Sequence, residues 1–268
     1  MNDWRHEGME LPHPKGAGDW LRVVWRGGLI GILTFGGLLV LLVLRLAERP
    51  LYGLRRPWTG RLTRWVCRAN VAILGLGYRV EGAEMAGRGA VVSNHVSWLD
   101  IFTLNACTTG NFIAKSEVAG WAGIGWLARA TGTMFVIRKG TEAKAQQVEL
   151  EGRLAAGQHL IFFPEGTSTD GQRVLPFKSS LFAAFQGAGL AIQPVTIVYE
   201  APAGADPRYY GWWAEMEFGP SLLMVLASPR QGRVVITRHA PLHVGDFADR
   251  KALTAAAEAA VRSAHPQG

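Results

Sequence analysis

The stretch Ala90-Val91-Val92-Ser93-Asn94-His95-Val96-Ser97-Trp98-Leu99-Asp100 decides how this chain is read. A short β-branched run breaks into a polar turn carrying a histidine and, five positions later, an aspartate. A second stretch of the same build follows, in which Leu160-Ile161-Phe162-Phe163 opens into Pro164-Glu165-Gly166-Thr167-Ser168-Thr169-Asp170-Gly171. Both read as strand ends leading into loops, where α/β folds place their chemistry. On one continuous helix His95 and Asp100 would point about 140° apart. With His95 on the loop and Asp100 in the first turns of the following helix, the carboxylate reaches back to one imidazole nitrogen. That fixes the tautomer and leaves the other nitrogen as a base. The plainer reading is a histidine capping the helix, and the spacing alone leaves both open.

Working outward, short β-branched or aromatic runs alternate with helix-like stretches beyond Glu81. Strands are expected at 90–93, 111–114, 133–137, 159–163, 193–199, 214–218 and 233–238, and helices at 97–107, 121–130, 141–156, 179–188 and 248–263. This is the pattern of one α/β domain with a mixed sheet. Upstream, residues 1–20 form a tail rich in Pro, Gly and mixed charge, and Gly27 to Leu44 carries no charge at all. As a helix those 18 residues reach about 27 Å, against a hydrocarbon core of roughly 30 Å. Between Arg45 and Arg68 lie seven arginines and one acid, Glu48, a juxtamembrane pattern that puts the following domain in the cytoplasm if the segment spans. Val66 to Tyr78 is too short to span. It pairs with the first segment as a helical hairpin in one leaflet, joined through Pro50 and the Gly53–Gly60 turn region, or it is an amphipathic helix covering the domain. The expected organisation is a tail over 1–20, membrane-anchoring helices over 21–78 and an α/β domain over 79–268.

The chain carries a net charge of +7, so an anionic partner is expected. The clustering of arginines after the apolar run points to the membrane bilayer. No RNP-type aromatic motif or zinc-finger spacing points to nucleic acid, and none is expected as a partner. Cys67 and Cys107 lack CxxC spacing, and there is no GxSxG elbow, Walker lysine loop or HExxH pair, so neither a metal nor a disulfide framework is expected. Glu165, between Pro164 and Gly166, could accept a substrate hydroxyl while neighbouring N–H groups donate to an oxyanion; the plainer reading is a carboxylate that stabilises the turn. Lys115, Arg138, Lys139, Arg173 and Lys178 follow expected strands or lie in loops and could form an anion-binding rim.

These residues resemble the glycerolipid acyltransferases. Asn94 to Asp100 is similar to their His-x4-Asp motif and Phe163 to Gly171 to their FPEGTRS signature. Gly132 to Arg138 and Gln193-Pro194-Val195 are similar to two further blocks, so the resemblance runs from about residue 80 to 200. It implies acyl transfer without an acyl-enzyme: His95 deprotonates a lysolipid hydroxyl, which attacks the thioester of acyl carrier protein or coenzyme A. It also implies that Asp100 orients His95, that Glu165 and Arg138 help bind the acceptor, and that no metal or other cofactor is needed; Gly166, Thr167, Ser168, Asp170, Lys115 and Lys178 complete the expected substrate-binding set. The implied location is the cytoplasmic face of a bacterial inner membrane. One departure concerns the acceptor. Ser168 stands where phosphate-ester members carry arginine, and Asp170 would repel a phosphate while suiting an amine. The run EGTSTDG with Val174 to Phe182 resembles the branch that acylates lyso-ornithine lipid, which is the favoured acceptor; lysophosphatidic acid is the alternative. A non-enzymatic membrane-binding module and a lipid hydrolase are the competing classes.

Overall fold

Ala90, Val91 and Val92 are buried on both faces, as a central parallel strand requires. They form the middle of β2 (Arg88–Ser93) in an eight-stranded sheet. The computed structural model describes residues 9–121, 123–136, 143–185 and 189–266. Across the sheet the order is β1 (Gly77–Glu81), β7 (Arg233–Arg238), β6 (Leu190–Glu200), β2, β5 (Leu160–Phe162), β3 (Asn111–Lys115) and β4 (Met134–Val136), with the short β8 (Leu242–His243) on β6. β6, β2, β5, β3 and β4 run parallel, whereas β7 and β8 are antiparallel to β6. The C-terminal ends of five neighbouring strands therefore share one edge, and the loops after β2 and β5 leave it side by side.

Strand alternation sorts the core into two layers. Val91, Ile161, Val195 and Ile236 face α3 (Asp100–Cys107), α6 (Phe218–Ala227) and part of α2 (Thr59–Leu74). Ala90, Val92, Leu160, Phe162 and Ile192 face α5 (Ala143–Ala155), α7 (Arg250–Ser263) and a 3₁₀ segment over Ser179–Phe185. The remaining helices are α1 (Ala17–Tyr52) and α4 (Ile124–Thr131).

Three elements depart from the sequence reading. The strand expected over 214–218 is a turn instead, with Ala214 at φ +54° and Pro220 in the first turn of α6, where proline favours a helix start. β1 was hidden because its alternating Tyr-Arg-Val-Glu run is short and half-exposed, yet it pairs in parallel with β7. The helix expected at 179–188 is the 3₁₀ segment; residues 186–188, like 137–142 of the expected strand end and helix start, lie outside the described residues.

α1 runs for 36 residues, about 54 Å, and begins four residues before the expected boundary at 21. It is long and apolar enough to cross a membrane, and only 11% of its apolar window is buried. Its first half is pinned to the domain by Arg26, which donates to the carbonyls of Leu226 (3.0 Å) and Ser228 (2.6 Å). Its middle packs on α2, where Gly37 lies against Val66 and the Asn70 amide donates to the Thr34 hydroxyl at 2.9 Å. α2 packs on α1 as a helix pair while its Val71 and Leu74 close the domain core, as the covering-helix reading expects, and the stretch expected to run to Tyr78 ends at Leu74 because Gly77 and Tyr78 belong to β1.

Candidate active site

The Asn94 amide acts as a spare peptide group beyond the end of β2. It donates to Ile197 O and accepts from Ile197 N, both at 2.8 Å, which registers the turn against β6. His95 follows, and its ring lies flat on Phe163 from the neighbouring loop, with centroids 3.9 Å apart and planes 9° apart. Asp100 opens α3 and is wholly buried. Its Oδ2 meets His95 Nδ1 at 2.7 Å and accepts the N–H groups of Val96 and Ser97 at 2.8 and 3.0 Å. The Tyr199 hydroxyl donates to Oδ1 at 2.9 Å, and burial together with the Asp100 charge pushes that phenol well above its usual range, so it stays a donor.

An ionised carboxylate only accepts, so Asp100 fixes the proton on Nδ1. Nε2 is then the basic nitrogen of the neutral ring, and among the described residues it has no hydrogen-bond partner. The His95 side chain keeps 19% of its surface exposed, enough for a ligand to reach it. The arrangement can take a proton from a hydroxyl and hold the resulting imidazolium against a buried carboxylate.

The second loop is laced to the first. Thr169 donates through its N–H (2.9 Å) and hydroxyl (3.2 Å) to the His95 carbonyl. Glu165 corrects the sequence reading. It is 1% exposed, and its two oxygens accept the N–H groups of His95 and Leu175, each at 2.7 Å. With both oxygens so engaged it clasps the loops and does not reach a substrate hydroxyl. Asp170 is likewise corrected: it is buried, and its carboxylate forks onto Arg173 at 2.9 and 3.2 Å while accepting Gln172 N–H, so it does not offer an open anion to an amine.

Other expected residues do come to the lip. Gly166 sits at φ +73°, and a Cβ there would lie 2.6 Å from the Lys178 ammonium, which therefore rests over this turn. Thr167 is exposed and Ser168 half-exposed beside it, and among the described residues neither N–H meets an acceptor. Lys115 ends β3 on the same edge of the sheet. Arg138 lies outside the described residues. Among the described residues no three His, Cys, Asp or Glu side chains group as a metal site. Sequence reasoning missed Tyr199, Asn94 as an anchor and Phe163 as a stacking partner; only the strand register brings them to His95.

Burial pushes the Glu165 carboxyl up to about 8, against the pull of its two N–H donors. The folded protein therefore holds a proton that the unfolded chain releases near 4.5, so this contribution is full below that pH and is lost as the pH rises through 8. Glu165→Gln should flatten the fall in stability across that window, read by thermal melts at several pH values. It should also cost about 1–3 kcal/mol at low pH, because its amide NH₂ turns toward one of the two backbone donors. An unaltered slope would show that Glu165 does not titrate in this way.

Comparison with known proteins agrees with the geometry. The acyltransferase family model matches residues 78–198, which hold both loops. The lyso-ornithine lipid O-acyltransferase of Rhodobacter capsulatus is 57% identical over 246 residues, covering 90% of this chain and 89% of that protein. The chain belongs to the acyltransferase family. A second lyso-ornithine lipid O-acyltransferase, from Brucella abortus, is 37% identical to this acyltransferase, covering 78% and 84% of the two chains. In three dimensions it is similar to the 1-acyl-sn-glycerophosphate acyltransferase of Thermotoga maritima, with a TM-score of 0.67, 21% identity and coverage of 91% and 93%. That likeness supports the mixed-sheet acyltransferase fold.

Proposed function

We propose that this acyltransferase moves a fatty acyl group from a thioester to the hydroxyl of lyso-ornithine lipid, with His95 as general base. The observation that carries the chemistry is the His95–Asp100 pair, held at 2.7 Å on Nδ1 with Nε2 left without a partner among the described residues. Nε2 takes the proton of the acceptor hydroxyl as its oxygen attacks the thioester carbonyl carbon. The carbonyl π electrons move to oxygen, and we assign the Thr167 and Ser168 N–H groups, on the exposed turn after β5, to stabilising that oxyanion. Collapse reforms the carbonyl, breaks the C–S bond and returns the proton from Nε2 to the thiolate. The thioester is carried by acyl carrier protein or coenzyme A, and both anionic carriers suit the Lys115 and Lys178 rim.

The acceptor assignment rests on the 57% identity to the Rhodobacter capsulatus enzyme and on Ser168 in place of an arginine. Asp170 contributes nothing to it, being paired with Arg173. Lys178 over Gly166 keeps lysophosphatidic acid as a second reading, since one ammonium can meet a phosphate. Offered both lysolipids in equal amounts, the purified enzyme should favour lyso-ornithine lipid about tenfold or more in kcat/KM. Exclusive use of lysophosphatidic acid would overturn the assignment, and release of free fatty acid without an acceptor would identify a hydrolase.

We further read the residues before α1 as a tail, α1 and α2 as the membrane anchor and the chain from β1 onward as the catalytic domain, on the cytoplasmic face of the bacterial inner membrane. The uncharged stretch of α1 and the arginines after it support this.

A further inference from the structure

A cavity of about 380 Å³ lies at the opposite edge of the sheet from His95, between the first turn of α2, the end of α3 and the entries into β3 and β5. The register aligns Asn111 with Leu160 and Leu160 with Ala90, so five residues of chain, about 17 Å, separate it from His95. It therefore takes no part in the acyl-transfer site. Its lining mixes apolar surface with the polar side chains of Arg55, Arg56, Asn105, Asn111, Gln158 and His159, of which Asn111 and Gln158 bond each other.

Two of these groups keep polar atoms that no described residue engages. Arg56 is half-buried and donates to the Ala130 carbonyl at 3.1 Å, but no carboxylate among the described residues pairs with it. Burial, with Arg45 and Arg153 nearby, lowers its pKa to about 10 against the opposing pull of the Glu48 charge. Asn105 is 8% exposed, lines the cavity, and makes no side-chain hydrogen bond among the described residues. The neighbouring acids are committed elsewhere. Glu48 holds Arg45, the Trp58 and Thr59 N–H groups and the Thr59 hydroxyl, and Glu84 holds Arg64 and the Thr109 N–H. A half-buried guanidinium whose carboxylate neighbour, Glu48, is already bonded to Arg45 and Thr59, and an amide open to the cavity, can both take a ligand with anionic oxygens.

The place indicates the source. Arg45 and Arg49 lie in the last turns of α1 and Arg55 and Arg56 directly follow it, at the basic end where lipid headgroups meet an apolar helix. We propose that the cavity binds the phosphate of an anionic membrane phospholipid through Arg55, Arg56 and the Asn105 amide. The phosphate chemistry rests on the cavity itself; only its lipid source rests on reading α1 as a membrane anchor.

The test is native mass spectrometry of the full chain in a neutral detergent, titrated with phosphatidylglycerol and, separately, with inorganic phosphate. One phosphatidylglycerol should bind, with a dissociation constant raised about tenfold by Arg56→Gln, Arg55→Gln or Asn105→Ala and left unchanged by the charge-matched surface variant Arg61→Gln. Inorganic phosphate binding as tightly, with the same dependence on these variants, would support the cavity and assign it to soluble phosphate. Absence of a discrete adduct, or equal weakening by Arg61→Gln, would overturn the proposal. Should Arg56→Gln fail to fold, the exposed Arg55 carries the test. Flotation on phosphatidylcholine vesicles reads membrane anchoring separately: a wild-type chain that fails to float sinks that reading while the detergent titration still decides the cavity.

Discussion

Replacing His95 by alanine should lower acyl transfer by about 10²- to 10⁴-fold while the protein still folds. The expectation of a folded variant is specific. The backbone bonds of residue 95, from its N–H to Glu165 and from Thr169 to its carbonyl, do not involve the ring and survive the change. Asp100 keeps the Val96 and Ser97 N–H groups and the Tyr199 hydroxyl, so removing the imidazole does not strand a buried carboxylate. What disappears is the stacked ring on Phe163 and the nitrogen that takes the proton. Steady-state transfer to lyso-ornithine lipid measures the loss, and circular dichroism melts check the fold. A folded variant with full activity would remove His95 from the chemistry.

The sheet was legible because its central strands are short apolar runs ending in polar turns, and β2, β5 and β3 fall where those runs predict them. The proton-transfer pair was legible only in part: the spacing allowed the carboxylate to reach back to a loop histidine but left a helix-capping histidine open, and the 2.7 Å contact decides between them. Residues whose meaning depends on which side chains and N–H groups fold against them were not legible. Asp170 reads as an open acid until Arg173 folds across it, and Glu165 reads as a substrate ligand until the N–H groups of His95 and Leu175 occupy both its oxygens. Tyr199 is one aromatic residue on a long strand, and nothing local marks it; it matters because β6 pairs with β2 and so carries its hydroxyl to Asp100. The cavity beside Arg56 is assembled from four separate stretches of chain and has no motif at all.

Asp100→Asn separates orientation from mere occupancy and is expected to cost about 10²-fold or more in kcat with little change in KM. The substitution keeps the volume, and the asparagine oxygen can still accept the Val96 and Ser97 N–H groups that bring the side chain into place. With that oxygen so fixed, the amide NH₂ falls on the side where Tyr199 donates, and the contact survives only if the phenol turns its hydrogen to the Thr103 hydroxyl 3.2 Å away and accepts from the amide. If the amide flips to satisfy Tyr199, its NH₂ faces Nδ1 and the Val96 and Ser97 N–H groups instead. His95 must then accept on Nδ1 and carry its proton on Nε2, the nitrogen that has to be bare to take the acceptor proton. Either arrangement also leaves the imidazolium formed during transfer without the buried negative charge 2.7 Å away. The double variant Tyr199→Phe with Asp100→Asn tells the two apart: removing the hydroxyl frees the amide to keep its oxygen toward the backbone donors and Nδ1. Part of the lost kcat should then return if tautomer control dominates, and none if the negative charge does. Unimpaired turnover in the single Asp100→Asn variant would mean that neither contribution is needed and that His95 acts without an orienting carboxylate.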